Sequence, residues 1–195
     1  MNKQQLASRI WASANQMRSK IEANEYKDYI LGFIFYKFLS DHEEQFARSK
    51  GLDEQGMRDE LRETNAEAVS LIQPKLGYFI SYENLFSTWI KPRKTGEDEF
   101  DVSNVRDAIS AFNRLIAPTH KKVFVGIFKT LETGLSKLGD SATTQTKAIK
   151  KLLNLIRDIP MDGRQDYDVL GFIYEYLIGM FAANAGKKAG EFYTP

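Results

Sequence analysis

Cysteine is absent from this 195-residue sequence. This excludes a disulfide framework, a cysteine nucleophile and a thiolate metal site. Histidine occurs only at His42 and His120. Neither has a histidine or acidic partner at ligand spacing, so we predict no metal. A self-contained hydrolase is also disfavoured, because no nucleophile and base are paired near a histidine.

A strong charge of either sign and a long apolar run are also missing. The net charge is +1, which argues against a histone-like protein that binds by bulk phosphate neutralisation. Any DNA contact is therefore expected to be local or shared with a partner. The longest apolar run, Tyr29 to Tyr36, is far short of the about 20 residues that span a bilayer, and no signal peptide opens the chain. We predict a soluble, cytoplasmic protein without membrane contact.

What is present is helical periodicity. A first amphipathic helix is predicted from apolar residues three or four apart: Leu6, Ile10, Ala14, Met17 and Ile21. A second helix is predicted from Asn24, an N-cap residue, to about Ser49, ending at Gly51. It is apolar nearly all round, which is typical of a helix central to its domain. We expect its aromatic residues to pack in the core: Tyr29, Phe33, Phe35, Tyr36 and Phe38. The alternative is that some of them form a docking face for another subunit.

The rest of the sequence favours helices over strands. A charged third helix is predicted from Asp53 to Pro74, where the proline ends it, and residues 78–80 form a short strand or a buried extended link. Further helices are predicted at 82–90, at 103–116 and before Pro160. The fold class is therefore mainly α, with a bundle-like helical region at 1–160 and a boundary at 160–163.

The last stretch carries the most specific motif. Apolar residues from Val169 to Phe181 predict an amphipathic helix that Asp166 and Asp168 precede and cap. Glu175 on this helix is expected to be hydrogen-bonded across a helix interface rather than catalytic. The sequence then runs through Gly186-Lys-Lys-Ala to Gly190-Glu-Phe-Tyr-Thr-Pro195. On residues alone, this ending is typical of an ordinary helix-to-loop exit.

Two pieces, Gly171-Phe-Ile-Tyr-Glu-Tyr-Leu and Gly186-Lys-Lys-Ala-Gly-Glu-Phe-Tyr-Thr-Pro195, resemble the modification (M) subunit of type I restriction-modification systems. Segments 23–41 and 77–86 resemble the helical N-terminal domain of the same family. The resemblance implies an adenine-N6 DNA methyltransferase that uses S-adenosylmethionine (AdoMet). Its first helix and cofactor turn would begin a truncated α/β catalytic domain at 161–195, after the helical domain at 1–160.

The resemblance also assigns roles and partners. The expected AdoMet contacts are Glu191, Phe192, Tyr193, Thr194 and Pro195. The aromatic faces of Phe192 and Tyr193 suit a sulfonium or an adenine ring. The expected partners are duplex DNA, a specificity subunit, a second M subunit and a restriction subunit. The family's (Asn/Asp)-Pro-Pro motif, which holds the adenine amino group, is absent. We therefore expect the front part of a longer protein, inactive alone and without catalytic residues of its own.

Three small basic groups are the candidate DNA contacts: Lys91, Arg93 and Lys94; Lys121 and Lys122; and Lys187 and Lys188. Such groups are more often solvated surface, and any contacts here would be to phosphate rather than to base edges. The alternative function is a helical protein–protein interaction module that binds no cofactor.

Overall fold

The computed structural model describes residues 1–17, 23–161, 168–173, 175–177 and 179. Within them the chain is mainly helical and has no strand, which confirms the predicted fold class. The α-helices are α1 (Lys3–Met17), α2 (Ala23–Ser49), α3 (Glu54–Glu60), α4 (Ala66–Leu76), α5 (Phe86–Ile90), α6 (Val102–Arg114), α7 (Lys121–Phe124), α8 (Lys129–Gly134) and α9 (Ala142–Ile156). Short 3-10 turns lie at Tyr82–Asn84, Pro118–His120 and Leu135–Leu138.

The chain divides into two compact units, residues 1–34 with 136–195, and residues 35–135. Helix α2 contributes its first part to one unit and its second part to the other. These units group residues by their contacts and do not locate a domain boundary along the chain. The predicted boundary near residue 160 therefore stays a prediction.

In the first unit, α1 packs along α9. Leu6, Ile10 and Ala14 are fully buried, as the helical spacing predicted. Helix α9 begins with a capping box, in which Ser141 and Thr144 each bind the other's backbone N–H. The surface pair Arg9–Asp158 (3.4 Å) adds little to stability, so apolar burial carries this helix contact.

In the second unit, polar side chains of α2 bind the backbone of the segment 78–86, which leads from α4 into α5. The Ser40 hydroxyl accepts a hydrogen bond from the Phe86 N–H at 2.7 Å. The Glu43 carboxyl accepts one from the Ile80 N–H at 2.7 Å. The Tyr36 hydroxyl donates to the Asn84 carbonyl at 2.8 Å. A buried segment outside regular secondary structure must satisfy its backbone in this way, and residues 78–80 are therefore a buried extended link rather than a strand.

Aromatic residues of α2 are buried in each of the two units. Tyr36 stacks on Trp89, with ring centroids 4.9 Å apart, and meets Phe128 edge-on. Tyr29 and Phe33 in the first unit and Tyr36 in the second are fully buried, which confirms core packing for them. Phe35 and Phe38 are half-buried and stack on each other at 6.1 Å. Each has a second ring neighbour, Phe128 for Phe35 and His42 for Phe38.

The predicted third helix is wrong in two respects. Residues 54–76 form two helices, because the chain leaves helical geometry after Glu60 and restarts at Asn65, whose side chain caps α4. Pro74 lies inside α4 and does not end it. The helix ends instead at Gly77, a left-handed residue (φ 90°) whose N–H reaches the Gln73 carbonyl. A proline near a helix C-terminus removes one hydrogen bond, and this helix tolerates that loss.

The final helix is described only in part. Asp168 accepts a hydrogen bond from the Gly171 N–H at 3.1 Å, which confirms that it caps this helix. Asp166 lies outside the described residues. Among the described residues, no helix combines the length and apolar character needed to cross a bilayer.

Candidate nucleic-acid interface

The segment after α5 carries the first predicted basic group. Arg93 and Lys94 are exposed there. A turn orders the segment, since the Lys94 N–H donates to the Glu97 carboxylate at 2.9 Å and Gly96 takes a left-handed conformation (φ 89°). This hydrogen bond, together with nearby Arg58, Lys94 and Arg93, lowers the pKa of Glu97. Arg58, which lies far away in sequence, therefore belongs to the same electrostatic neighbourhood.

Lys91 is part of a larger group, here called the Tyr82 cluster: Arg48, Glu54, Arg58, Tyr82 and Lys91. Arg48 comes from the end of α2, Glu54 and Arg58 from α3, Tyr82 from a 3-10 turn, and Lys91 follows α5. The Arg58 guanidinium carbon and the Lys91 ammonium lie 5.2 and 5.3 Å from the Tyr82 ring centroid. Both distances are within the range of cation–π attraction.

Glu54 is the anion at the centre of the cluster. Its carboxylate pairs with the Lys91 ammonium, accepts a hydrogen bond from the Tyr82 hydroxyl at 2.5 Å and lies 3.6 Å from the Arg48 guanidinium. The Tyr82 oxygen in turn accepts hydrogen bonds from Lys91 (3.2 Å) and Arg58 (3.4 Å). Three cations thus converge on one carboxylate and one phenol.

The pKa of Lys91 is lowered, first by partial burial and further by Arg48, while Glu44 opposes the shift. Burial lowers the pKa of an ammonium group because desolvation disfavours its charged form. Sequence reasoning found Lys91 but missed Arg48, Arg58 and Tyr82. No local spacing in the sequence links these three residues to Lys91.

The second predicted basic group, Lys121 and Lys122, lies on the short helix α7 and is exposed. Phe124 anchors that helix, meeting the rings of Tyr78 (5.4 Å) and Phe112 (6.0 Å) edge-on. The flanking Val123 and Val125 are 62% and 65% exposed. Among the described residues, no hydrogen bond or ion pair joins Lys121 or Lys122 to the Tyr82 cluster. The two groups are separate cationic features.

Several predicted sites lie outside the described residues: the AdoMet contacts Glu191, Phe192, Tyr193, Thr194 and Pro195, and the basic pair Lys187 and Lys188. These assignments stay predictions. Glu175 is described and exposed, and its expected hydrogen bond across a helix interface stays a prediction.

The two histidines have structural surroundings. His42 is exposed and stacks on Phe38 (6.1 Å), and His120 stacks on Phe124 (6.2 Å). Within the described part of the chain, no group of three or more His, Cys, Asp or Glu residues could hold a metal ion.

Comparison with known proteins extends this description. The profile of the HsdM N-terminal domain matches residues 6–156, and the profile of the N-6 DNA methylase family matches residues 165–195. The type I restriction enzyme MpnII methylase subunit of Mycoplasma pneumoniae is 30% identical over 199 residues, covering 96% of this chain and 36% of that protein. The MjaIX methylase subunit of Methanocaldococcus jannaschii is 26% identical, covering 96% of this chain and 33% of that protein.

A solved structure is also similar. The crystal structure of a type I restriction-modification methyltransferase subunit from Streptococcus thermophilus aligns with a TM-score of 0.76 and 29% identity. The alignment covers 100% of this chain and 42% of that one. The chain thus spans about a third of the curated relatives and less than half of the solved structure.

Proposed function

This chain belongs to the HsdM N-terminal domain family, and on that premise we propose that it is the front part of a subunit that methylates adenine N6 in specific duplex DNA. One observation carries the proposal: a match to the HsdM domain over residues 6–156 is followed directly by a match to the N-6 DNA methylase family. AdoMet would supply the methyl group. The target adenine would be flipped out of the stack into a pocket formed mainly by residues beyond this chain.

The cofactor contacts are proposed at Glu191, Phe192, Tyr193, Thr194 and Pro195. The chemistry of these residues suits AdoMet, because two aromatic faces attract a cationic sulfonium and a hydroxyl can bind the methionine carboxylate. The chain has no catalytic residue in this proposal and is expected to be inactive alone.

The helical region is proposed to help hold DNA and to pack against a specificity subunit. The exposed cations Arg93, Lys94, Lys121 and Lys122 support the first role, and the exposed apolar pair Val123 and Val125 is consistent with the second. A net charge of +1 agrees with a few local phosphate contacts rather than a uniformly basic surface. Sequence choice would then belong to the specificity subunit. The complete assembly would also hold a second M subunit and a restriction subunit.

The test uses the complete subunit assembled with its specificity subunit. Methyl transfer from AdoMet into duplex DNA is followed by mass spectrometry of the digested nucleosides, which separates N6-methyladenine from methylcytosine. DNA binding is measured in parallel for the intact assembly and for one lacking residues 1–160. We expect N6-methyladenine as the product, and weaker binding after the deletion.

Two results would contradict the proposal. Methylcytosine as the product would overturn the adenine assignment. Unchanged DNA binding after the deletion, with the assembly still intact by size-exclusion chromatography, would overturn the role of the helical region in holding DNA.

A further inference from the structure

Three cations of the Tyr82 cluster face two carboxylates, Glu54 at its centre and Glu44 at its edge, 3.5 Å from the Arg48 guanidinium. Glu54 is one anion, yet it pairs with both Arg48 and Lys91, and Arg58 reaches the same tyrosine oxygen. These cations come from three different elements. Bringing like charges together costs free energy, and Arg48 contributes to the lowered pKa of Lys91, which is due first to partial burial and is opposed by Glu44. Guanidinium and ammonium groups gathered in this way are suited to bind a carboxylate or a phosphate.

We propose that the Tyr82 cluster binds a DNA backbone phosphate and that Glu54 occupies the phosphate position until DNA displaces it. The inference rests on the proposed function, since it takes DNA as the partner. It deepens that function by naming Arg48 and Arg58 as phosphate contacts and Glu54 as a built-in competitor.

The geometry around Glu54 supports a shared oxyanion position. The Tyr82 hydroxyl donates toward the Glu54 carboxylate at 2.5 Å, and the Lys91 ammonium and Arg48 guanidinium approach the same group. Carboxylate and phosphate oxygens accept the same charge-assisted hydrogen bonds, and a guanidinium fork suits either group. The carboxylate therefore stands where a phosphodiester oxygen would lie.

Exchange of one anion for another is feasible because the cluster is open to solvent. The side chains of Glu54, Arg48 and Lys91 are 43%, 51% and 37% exposed. Ion pairs at such exposure contribute little net free energy, so DNA can displace Glu54 without unfolding the site. Tyr82 is nearly buried and keeps the cations in place.

The Arg114–Glu63 pair of the same unit provides a matched control. Its guanidinium nitrogen lies 2.9 and 3.0 Å from the two carboxylate oxygens, and the side chains are 55% and 40% exposed. Among the described residues, neither side chain has another ion-pair partner. Glu63→Gln thus makes the same change in net charge as Glu54→Gln, without a cation cluster.

The experiment measures binding of a short fluorescent DNA duplex of arbitrary sequence to the complete subunit assembled with its specificity subunit, over a range of KCl concentrations. Phosphate contacts do not depend on sequence, so the recognition site need not be known. We expect Glu54→Gln to bind about two to five times more tightly than the wild type. The slope of log K against log salt should steepen by up to about one. Glu63→Gln should leave the slope unchanged.

A second set of variants removes the cations. Arg58→Ala and Arg48→Ala should each weaken binding about three- to tenfold and make the salt slope shallower by about one, whereas Arg114→Ala should do neither. Circular dichroism and thermal melts confirm that each variant is folded. The glutamine of Glu54→Gln still accepts a hydrogen bond from Tyr82, so its fold should be kept.

The outcomes separate this inference from the proposed function. Weaker binding by Glu54→Gln, or equal effects of the Glu54 and Glu63 variants, would overturn the competitor role. If the Arg48 and Arg58 variants bind like the wild type while Lys121→Ala/Lys122→Ala binds more weakly, the helical region holds DNA elsewhere and only the inference fails. If the wild-type assembly binds no DNA at any salt concentration, both fail.

Discussion

Glu43 is fully buried on the inner side of α2. One carboxyl oxygen accepts the Ile80 N–H, and the other has no hydrogen-bond partner among the described residues. Burial raises the pKa of Glu43 well above its ordinary value, and the Ile80 hydrogen bond opposes this only in part. The pKa of Tyr36 and that of Tyr78 are also raised, first by burial and then by the nearby Glu43. The interior of the second unit, residues 35–135, thus favours the neutral form of the Glu43 carboxyl.

This environment predicts a pH-dependent stability. The folded state holds the Glu43 proton to a higher pH than the unfolded chain, whose pKa is about 4.3. The contribution of this group is fully present below the unfolded pKa and is lost as pH rises through the folded pKa. Glu43→Gln removes this loss and still accepts the Ile80 N–H. The free energy of unfolding should therefore fall with pH in the wild type relative to the variant, by at most about 1.4 kcal/mol per pH unit.

Urea unfolding of the purified protein between about pH 5 and pH 8 measures this difference. Glu83→Gln, at an exposed position of the neighbouring 3-10 turn, should follow the wild-type curve. If the wild-type and Glu43→Gln curves run parallel over the whole range, Glu43 is not held neutral in the folded state.

At the scale of elements, the end of α4 depends on a contact with a distant segment. Gly77 has φ 90°, and a Cβ at this residue would lie 2.5 Å from the His120 ring and 2.9 Å from Phe124. The Gly77 carbonyl also accepts the Ala117 N–H at 2.8 Å. The turn after α6 therefore packs directly on the last turn of α4, and any side chain at Gly77 would separate them.

Gly51 has nearly the same backbone conformation, with φ 89°, but no atom within 4 Å of its Cβ position. We expect Gly51→Ala to lose about 1 kcal/mol through conformation alone. Gly77→Ala should lose about 1–3 kcal/mol more, because overpacking adds to the same conformational cost. Urea unfolding of both variants measures the two losses. Equal losses of unfolding free energy would mean that the His120 ring moves aside without cost and that its contact with Gly77 does not stabilise the end of α4.

Sequence periodicity predicted elements better than their ends. The buried faces of α1 and α2 follow from spacing, because residues three or four apart always share a helix face. The limits of α4 do not follow, because proline is disfavoured inside helices on average, while the loss of one hydrogen bond near a C-terminus is small enough for packing to offset. Likewise, an extended buried link and a short strand have the same apolar pattern, and the hydrogen-bond partners on α2 decide between them.

At the scale of the whole protein, cofactor binding distinguishes the two functional hypotheses, a methyltransferase subunit that binds AdoMet and a helical interaction module that does not. Calorimetric titration of AdoMet into the complete subunit should show saturable binding, and the 195-residue chain alone should show none. Tyr193→Ala should weaken binding by about tenfold through loss of a cation–π face. Tyr193→Phe, which keeps the ring, should bind almost as well as the wild type.

Absence of binding by the complete subunit, folded and with its specificity subunit present, would favour a helical protein–protein interaction module. Equal weakening by the alanine and phenylalanine variants would assign the contact to the hydroxyl rather than the ring.

Residue types and their spacing were enough to predict that the chain is mainly helical, that α2 has a buried aromatic face, and that its motifs are those of the type I methylase family. These properties depend on residue types at short, regular spacing. The tertiary structure alone decided that Arg48, Arg58 and Lys91 meet around Tyr82, that Glu43 lies in the core, and that α4 ends against His120. Each of these depends on which distant surfaces pack together, and local propensity does not encode that choice.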